Sequence, residues 1–178
     1  MSDVPRARLL GAVLCLVLSA PVAGIADGPR NVLPLSAYPR ERIAIETRAS
    51  FRRRLFDAWR AESPASREQG LMFVSDSEMR PDQAMIFVYQ PPQRVAMWMK
   101  NTLLALDMLF VDARGCVVTI KERAQPQSLA TIESRVPVTV VVELKAGTVA
   151  TQGIAVGDRV LRIDAGWPQD ETNCSVQN

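Results

Sequence analysis

From residue 42 onward, apolar positions come in short stretches separated by turn residues. That is the pattern of many short strands rather than of amphipathic helices. Ile43 and Ile45 stand among Arg42, Ala44 and Glu46, and Leu55 to Ala61 is a second strand candidate. Met85 to Tyr89 is a short apolar strand closed by Pro91-Pro92, and Val95 to Thr102 and Leu106 to Val111 follow. Asp112-Ala113-Arg114-Gly115 reads as a hairpin loop whose Gly115 supplies the left-handed residue, and Val117 to Lys121 returns antiparallel. Val138 to Leu144 is the most apolar strand, and Arg159 to Ile163 is the last. Helix is confined to two short turns. One is Pro64 to Gln69, with Ser63 as N-cap and Gly70 as stop; the other lies within Ala146 to Gln152. The pattern predicts a mainly β fold, a small antiparallel sandwich or barrel with short helical turns, over residues 42–164.

The termini read differently. Arg6 and Arg8 precede an apolar run from Leu9 to Ala20, which Pro21 breaks, and Gly24-Ile25-Ala26 offers small residues before a cut. A charged start, a short apolar run and a small-x-small site describe a secretory signal peptide over residues 1–26. The expected location is therefore exported, periplasmic or extracellular. The alternative is an uncleaved segment anchoring the chain to the inner membrane, since the run is at the lower edge of spanning length. Residues 27–41, with Pro29, Pro34 and Pro39, read as a linker, and residues 165–178 as a flexible tail. Cleavage would leave Cys116 and Cys174. They form either one disulfide or two unrelated thiols; a bridge closing about 58 residues would contribute roughly 4 kcal/mol in the chain-entropy model.

Composition narrows the chemistry. The 178 residues contain no histidine. That excludes a Ser-His-Asp or Cys-His site, a His-ligated zinc or haem, and a histidine pH switch. Lys+Arg 21 against Asp+Glu 19 gives a net charge of +2, too even for nucleic acid or an acidic membrane as the main partner. Met72, Met85, Met97 and Met99 recur around the central segment, and thioethers select Cu(I). With no histidine or nearby cysteine to complete a site, they read as fillers of an irregular core, so neither metal nor cofactor is expected.

The central segment carries the candidate site. Strand periodicity over Val95 to Thr102 sends Trp98, Lys100 and Thr102 one way and Met97, Met99 and Asn101 the other. A ring, an ammonium and a hydroxyl on one face suit a small polar or anionic ligand; the bland alternative is a core tryptophan with a snorkelling lysine. Asp107, between Leu106 and Met108, needs a partner when buried: Lys100, Arg67, Asn101 or backbone amides. Glu143, in the most apolar strand, reads more simply as an edge-facing carboxylate. Arg67, on the helical turn, is the nearest residue able to add a planar donor fork.

Several motifs resemble a known family. They are Arg67-Glu68-Gln69-Gly70-Leu71-Met72-Phe73, Ala84 to Val88, Met97-Trp98-Met99-Lys100-Asn101-Thr102 with Leu106-Asp107 to Asp112, Val142 to Gly147, and Gly157-Asp158. Their order and spacing over residues 55–163 resemble the family catalogued as domain of unknown function 192 (uncharacterised protein family 0127). The resemblance implies a small protein, often exported or membrane-associated, built mainly of β-strands in a sandwich or barrel; it implies no activity. The polar stretch from Arg123 to Val136 departs from it.

These residues support three functions. The first is a non-catalytic ligand-binding module of the cell envelope, with Arg67, Trp98, Lys100, Asn101, Thr102 and Asp107 as ligand-binding residues. The second is a structural or protein-interaction domain with an envelope protein partner. The third is a hydrolase or transferase using Asp107 with Lys100 or Glu143, because acid–base work needs two groups with separated pKa values in one pocket.

Overall fold

The computed structural model describes residues 32–168 and residue 174. The segment expected to be a signal peptide (1–26), the first part of the expected linker (27–31) and most of the expected tail lie outside the described residues. The elements are β1 (Arg40–Thr47), β2 (Arg52–Ala61), α1 (Pro64–Gln69), β3 (Gln83–Gln93), β4 (Ala96–Met97), β5 (Leu106–Val111), β6 (Val117–Ala124), β7 (Ile132–Glu133), β8 (Val138–Lys145), α2 (Thr148–Gln152) and β9 (Arg159–Arg162). Seven strands form one sheet in the order β6-β5-β8-β3-β2-β1-β9, and β4 pairs with β7 separately. All neighbours in the large sheet are antiparallel except β2 and β3, which run parallel. A parallel pair needs a crossover, and α1 with the turns after it forms that crossover.

The sheet curls into a half-barrel. Cys116, at the start of the β6 arm, bridges to Arg159 at the start of β9, so opposite ends of the sheet meet. Val117 and Val160, from those two ends, pack in one cluster with Ile43, Ile86, Leu109 and Val142, which therefore lies inside the curl. The alternate residues Met85, Phe87, Met108, Phe110 and Val141 form a second cluster on the outer face, covered by Leu71, Val74, Met79, Met97 and Met99. Both faces of the central strands are thus buried. This explains the continuous apolar runs of β3, β5 and β8, where a one-sided sheet would alternate.

The Val95 to Thr102 segment differs from the strand its alternation predicts. Ala96–Met97 alone is strand, paired with Ile132 and Glu133 of the polar stretch that lacks a family pattern. β3, β5 and β8 already have neighbours on both sides, so the segment has no place in the large sheet. It lies over the outer face instead, with Val95, Met97 and Met99 buried and Trp98 and Lys100 exposed. A turn at Met99–Thr102 ends it, with the Thr102 amide donating to the Met99 carbonyl. The Met85 to Tyr89 strand likewise runs further than expected. It continues through the prolines to Gln93, with a register shift against β8 after Val88.

Parts of both flanking segments are fixed to the domain. Tyr38 is buried and its hydroxyl donates to the Gly70 carbonyl at 3.2 Å. Cys174 forms a disulfide with Cys116, with their Cα atoms 5.3 Å apart.

Candidate functional site

A cleft of about 220 Å³ opens on the outer face of the sheet. Its walls are α1 with the following turn, and the segment from Ala96 to Thr102; β3 and β8 form its floor. α1 starts where Ser63 accepts the Ser66 amide and Pro64 sets the first turn. It ends at Gly70, whose φ of +49° and approach to Phe87 admit no side chain: a Cβ there would stand 2.8 Å from the ring. That close approach sets Arg67 against the end of β3.

Arg67 lines the cleft but is partly committed. Its Nη1 donates to the Val88 carbonyl at 3.1 Å and to the Glu62 carbonyl, and its guanidinium lies 5.2 Å from the centroid of the Tyr89 ring. Tyr89 in turn donates its hydroxyl to the Met97 sulfur at 3.7 Å. Burial raises the Tyr89 pKa to about 12, with Glu143 adding to the effect.

Glu143 is the residue that the sequence reading underrated. β8 is central rather than an edge strand, so its carboxylate is not edge-facing. On β8 it sits in register between Met85 of β3 and Met108 of β5, both fully buried. Its side chain reaches the floor of the cleft, and its Oε2 has no hydrogen-bond partner among the described residues. Burial among apolar neighbours pushes its pKa up to about 8, because an ionised carboxylate loses its hydration there. The signal available in the sequence was an acidic residue inside the most apolar strand. Its meaning depended on which strands flank β8.

The other predicted residues divide. Trp98 and Thr102 line the cleft with Arg67. Trp98 is 44% exposed on the rim, a large aromatic surface left to solvent. Lys100 does not line the cleft; its ammonium lies over the Trp98 ring, 5.0 Å from the centroid. Asn101 adopts φ +56°, its carbonyl accepts the Phe73 amide at 2.8 Å, and its side-chain amide reaches the Met72 sulfur. It ties the two walls together rather than entering the cleft.

Asp107 is on the other side of the sheet. Its neighbour Met108 shares the Glu143 face, so alternation along β5 sends Asp107 inward. Of the partners considered from sequence, backbone amides are the ones it finds: Oδ1 accepts from Arg123 and Oδ2 from Val149, each at 2.9 Å. Val149 is in the first turn of α2, so Asp107 holds that turn on the end of the sheet. The pairing of Asp107 with Lys100 across the turn does not occur. Asp107→Ala leaves two amides without an acceptor, at about 1–3 kcal/mol each when buried, so a loss on the order of 3 kcal/mol is expected. Lys100→Ala should cost less than about 1 kcal/mol, the scale of an exposed cation–π contact. Urea melts of the two variants beside wild type check this. Equal losses would make the whole motif a structural brace.

A model for the uncharacterised proteins grouped as domain of unknown function 192, described as "uncharacterized ACR", matches residues 45–162. The chain belongs to this family. Two crystal structures share the fold. One, from Sinorhizobium meliloti 1021, is named as a candidate transcription regulator. It is 46% identical, with 70% of this chain and 95% of that chain covered and a TM-score of 0.67. The other, a protein of unknown function from Novosphingobium aromaticivorans DSM 12444, is 29% identical. The match covers 74% of this chain and 91% of that one, with a TM-score of 0.68. No curated protein matches the chain.

Proposed function

We propose that this member of the domain of unknown function 192 family is an exported, non-catalytic ligand-binding module of the cell envelope, and that the cleft above Glu143 is its site. The observation that carries this reading is the unpartnered, buried Glu143 carboxyl at the floor of a cleft rimmed by the exposed Trp98. A buried polar group without a partner is costly, and a ligand that supplies the partner recovers the cost. The cleft is smaller than the roughly 300–1,000 Å³ typical of sites for drug-sized ligands, so it suits a small molecule or the end of a side chain. Export is supported by the signal-like N-terminus and by the disulfide, a bond that persists in oxidising compartments.

The catalytic alternative loses its expected pair. Asp107 is held by amides on the inner face, away from Glu143, so these two carboxyls do not share a pocket. The relative's name as a candidate transcription regulator is not carried over, because a net charge of +2 gives no electrostatic footprint for nucleic acid.

The test is mass spectrometry of small molecules that copurify with the exported protein, for wild type and Trp98→Ala. Trp98 is exposed enough that its truncation should cost little stability, on the order of 0.5 kcal/mol. A compound present with wild type and lost with Trp98→Ala is the expected result. Identical profiles would remove the cleft as the site. N-terminal sequencing of the same material should begin near Asp27; an intact Met1 in soluble cytoplasm would remove export.

A further inference from the structure

The sequence leaves a small polar or anionic ligand open, and the surroundings of Glu143 narrow that choice. We infer that the cleft recognises a primary ammonium group on a short apolar stem, with the ammonium against the Glu143 carboxyl. This rests on the reading of the cleft as a binding site.

Three observations lead to it. First, the buried group awaiting a partner is an acid, and the partner that best compensates a buried carboxylate is a hydrogen-bonding cation. Second, the surroundings are electron-rich. Phe87, Tyr89 and Trp98 bring rings to the cleft, and Met72 and Met97 bring thioethers. Two of these rings already carry cations within the chain: the Lys100 ammonium on Trp98 and the Arg67 guanidinium on Tyr89. Such rings attract cations through their quadrupoles. Third, the cleft offers an anion no uncommitted cation. The one cation among the lining residues, Arg67, already gives its Nη1 to two backbone carbonyls and shares its wall with Glu68. The apolar stem would lie along Leu71, Phe87 and Met97.

The raised pKa of Glu143 gives the inference a signature. The titratable groups facing Glu143 are Tyr38 before β1, Tyr89 on β3, and Arg67 and Glu68 on α1; β5 presents the apolar Met108. Both tyrosines are raised to about 12 and stay neutral near pH 7. Glu143 is then mainly protonated in the free protein. An arriving ammonium ionises it, and its proton passes to the buffer.

The experiment is calorimetric titration of the mature protein with n-butylammonium, n-butanol and butyrate near pH 7, in two buffers of different ionisation enthalpy. The expected result is that n-butylammonium binds at least about tenfold more tightly than the other two. It should release close to one proton per cation. Glu143→Gln, which keeps the shape and removes the charge, should weaken the ammonium by about tenfold or more. Trp98→Ala, at an exposed position, should weaken it as well, and serves where Glu143→Gln lowers the folded fraction. Equal or tighter binding of n-butanol or butyrate, binding without proton release, or unchanged binding by Glu143→Gln each overturns the ammonium assignment. If no probe binds, the assignment falls. The cleft reading falls with it only when the copurified compounds of wild type and Trp98→Ala also match.

Discussion

Wild type and Glu143→Gln are expected to diverge in stability as the pH rises from about 5 to about 9. In the folded state the Glu143 pKa is about 8, raised from 4.5 by burial. The folded protein therefore holds a proton that the unfolded chain gives up above 4.5. Stability falls with pH wherever the folded state binds more protons. The contribution is intact below pH 4.5, declines by about 1.4 kcal/mol per pH unit through the interval, and levels off above pH 8. The full loss is on the order of 5 kcal/mol. Glu143→Gln removes the titration and keeps the shape. Taking the difference between the two proteins cancels the exposed carboxylates, such as Glu78, Asp82 and Asp164, whose hydrogen bonds lower their pKa values and whose effects fall at acid pH. The check is a set of urea melts at several pH values. A difference that stays constant across the interval would mean that Glu143 is already ionised in the folded protein, and the cleft would lose its buried neutral acid.

Reduction of the Cys116–Cys174 bond is the second large effect. The bond spans a sequence separation of 58 residues. In the chain-entropy model a loop of that length contributes about 4 kcal/mol by restricting the unfolded chain. The native state adds a local reason. Cys116 lies where the β5–β6 hairpin meets β9, and both cysteines are buried. The bond thus ties the C-terminal segment across the meeting of the two ends of the sheet. Cys116→Ser with Cys174→Ser, or wild type in excess reductant, should unfold at a markedly lower urea concentration than the oxidised protein. Oxidised and reduced forms melting together would show that the bond leaves the stability of the domain unchanged.

Much of the strand pattern was legible because it is local. Ile43 and Ile45 alternate, Asp112 to Gly115 form a tight loop, and Ser63, Pro64 and Gly70 bracket a single helical turn. Each of these depends on neighbours a few residues away, and the structure contains all three. The alternation of Val95, Met97 and Met99 with Trp98 and Lys100 was also legible and separates buried from exposed side chains as far as Lys100; the turn at Met99–Thr102 then reverses it, leaving Asn101 exposed and Thr102 buried. What it could not convey is that the segment lies on the sheet rather than in it. The same alternation serves a paired strand and an extended segment covering an apolar surface. The choice depends on whether a sheet edge is free, and β3, β5 and β8 leave none there.

The two buried carboxylates mark the boundary between sequence and tertiary structure most clearly. From sequence, Asp107 and Glu143 are alike: one acid each in an apolar run. Pairing of β5 with β8 puts Met108 beside Glu143 and turns Asp107 to the opposite face. There Asp107 meets the Arg123 and Val149 amides, from segments 16 and 42 residues away in the chain. Glu143 meets two methionines and a cleft. The sequence by itself determined the family motif, the strand-rich class, the helical turn and the presence of acids that burial would make significant. Only the tertiary structure decided which acid is satisfied and which awaits a partner, because long-range strand register determines the neighbours of a buried side chain.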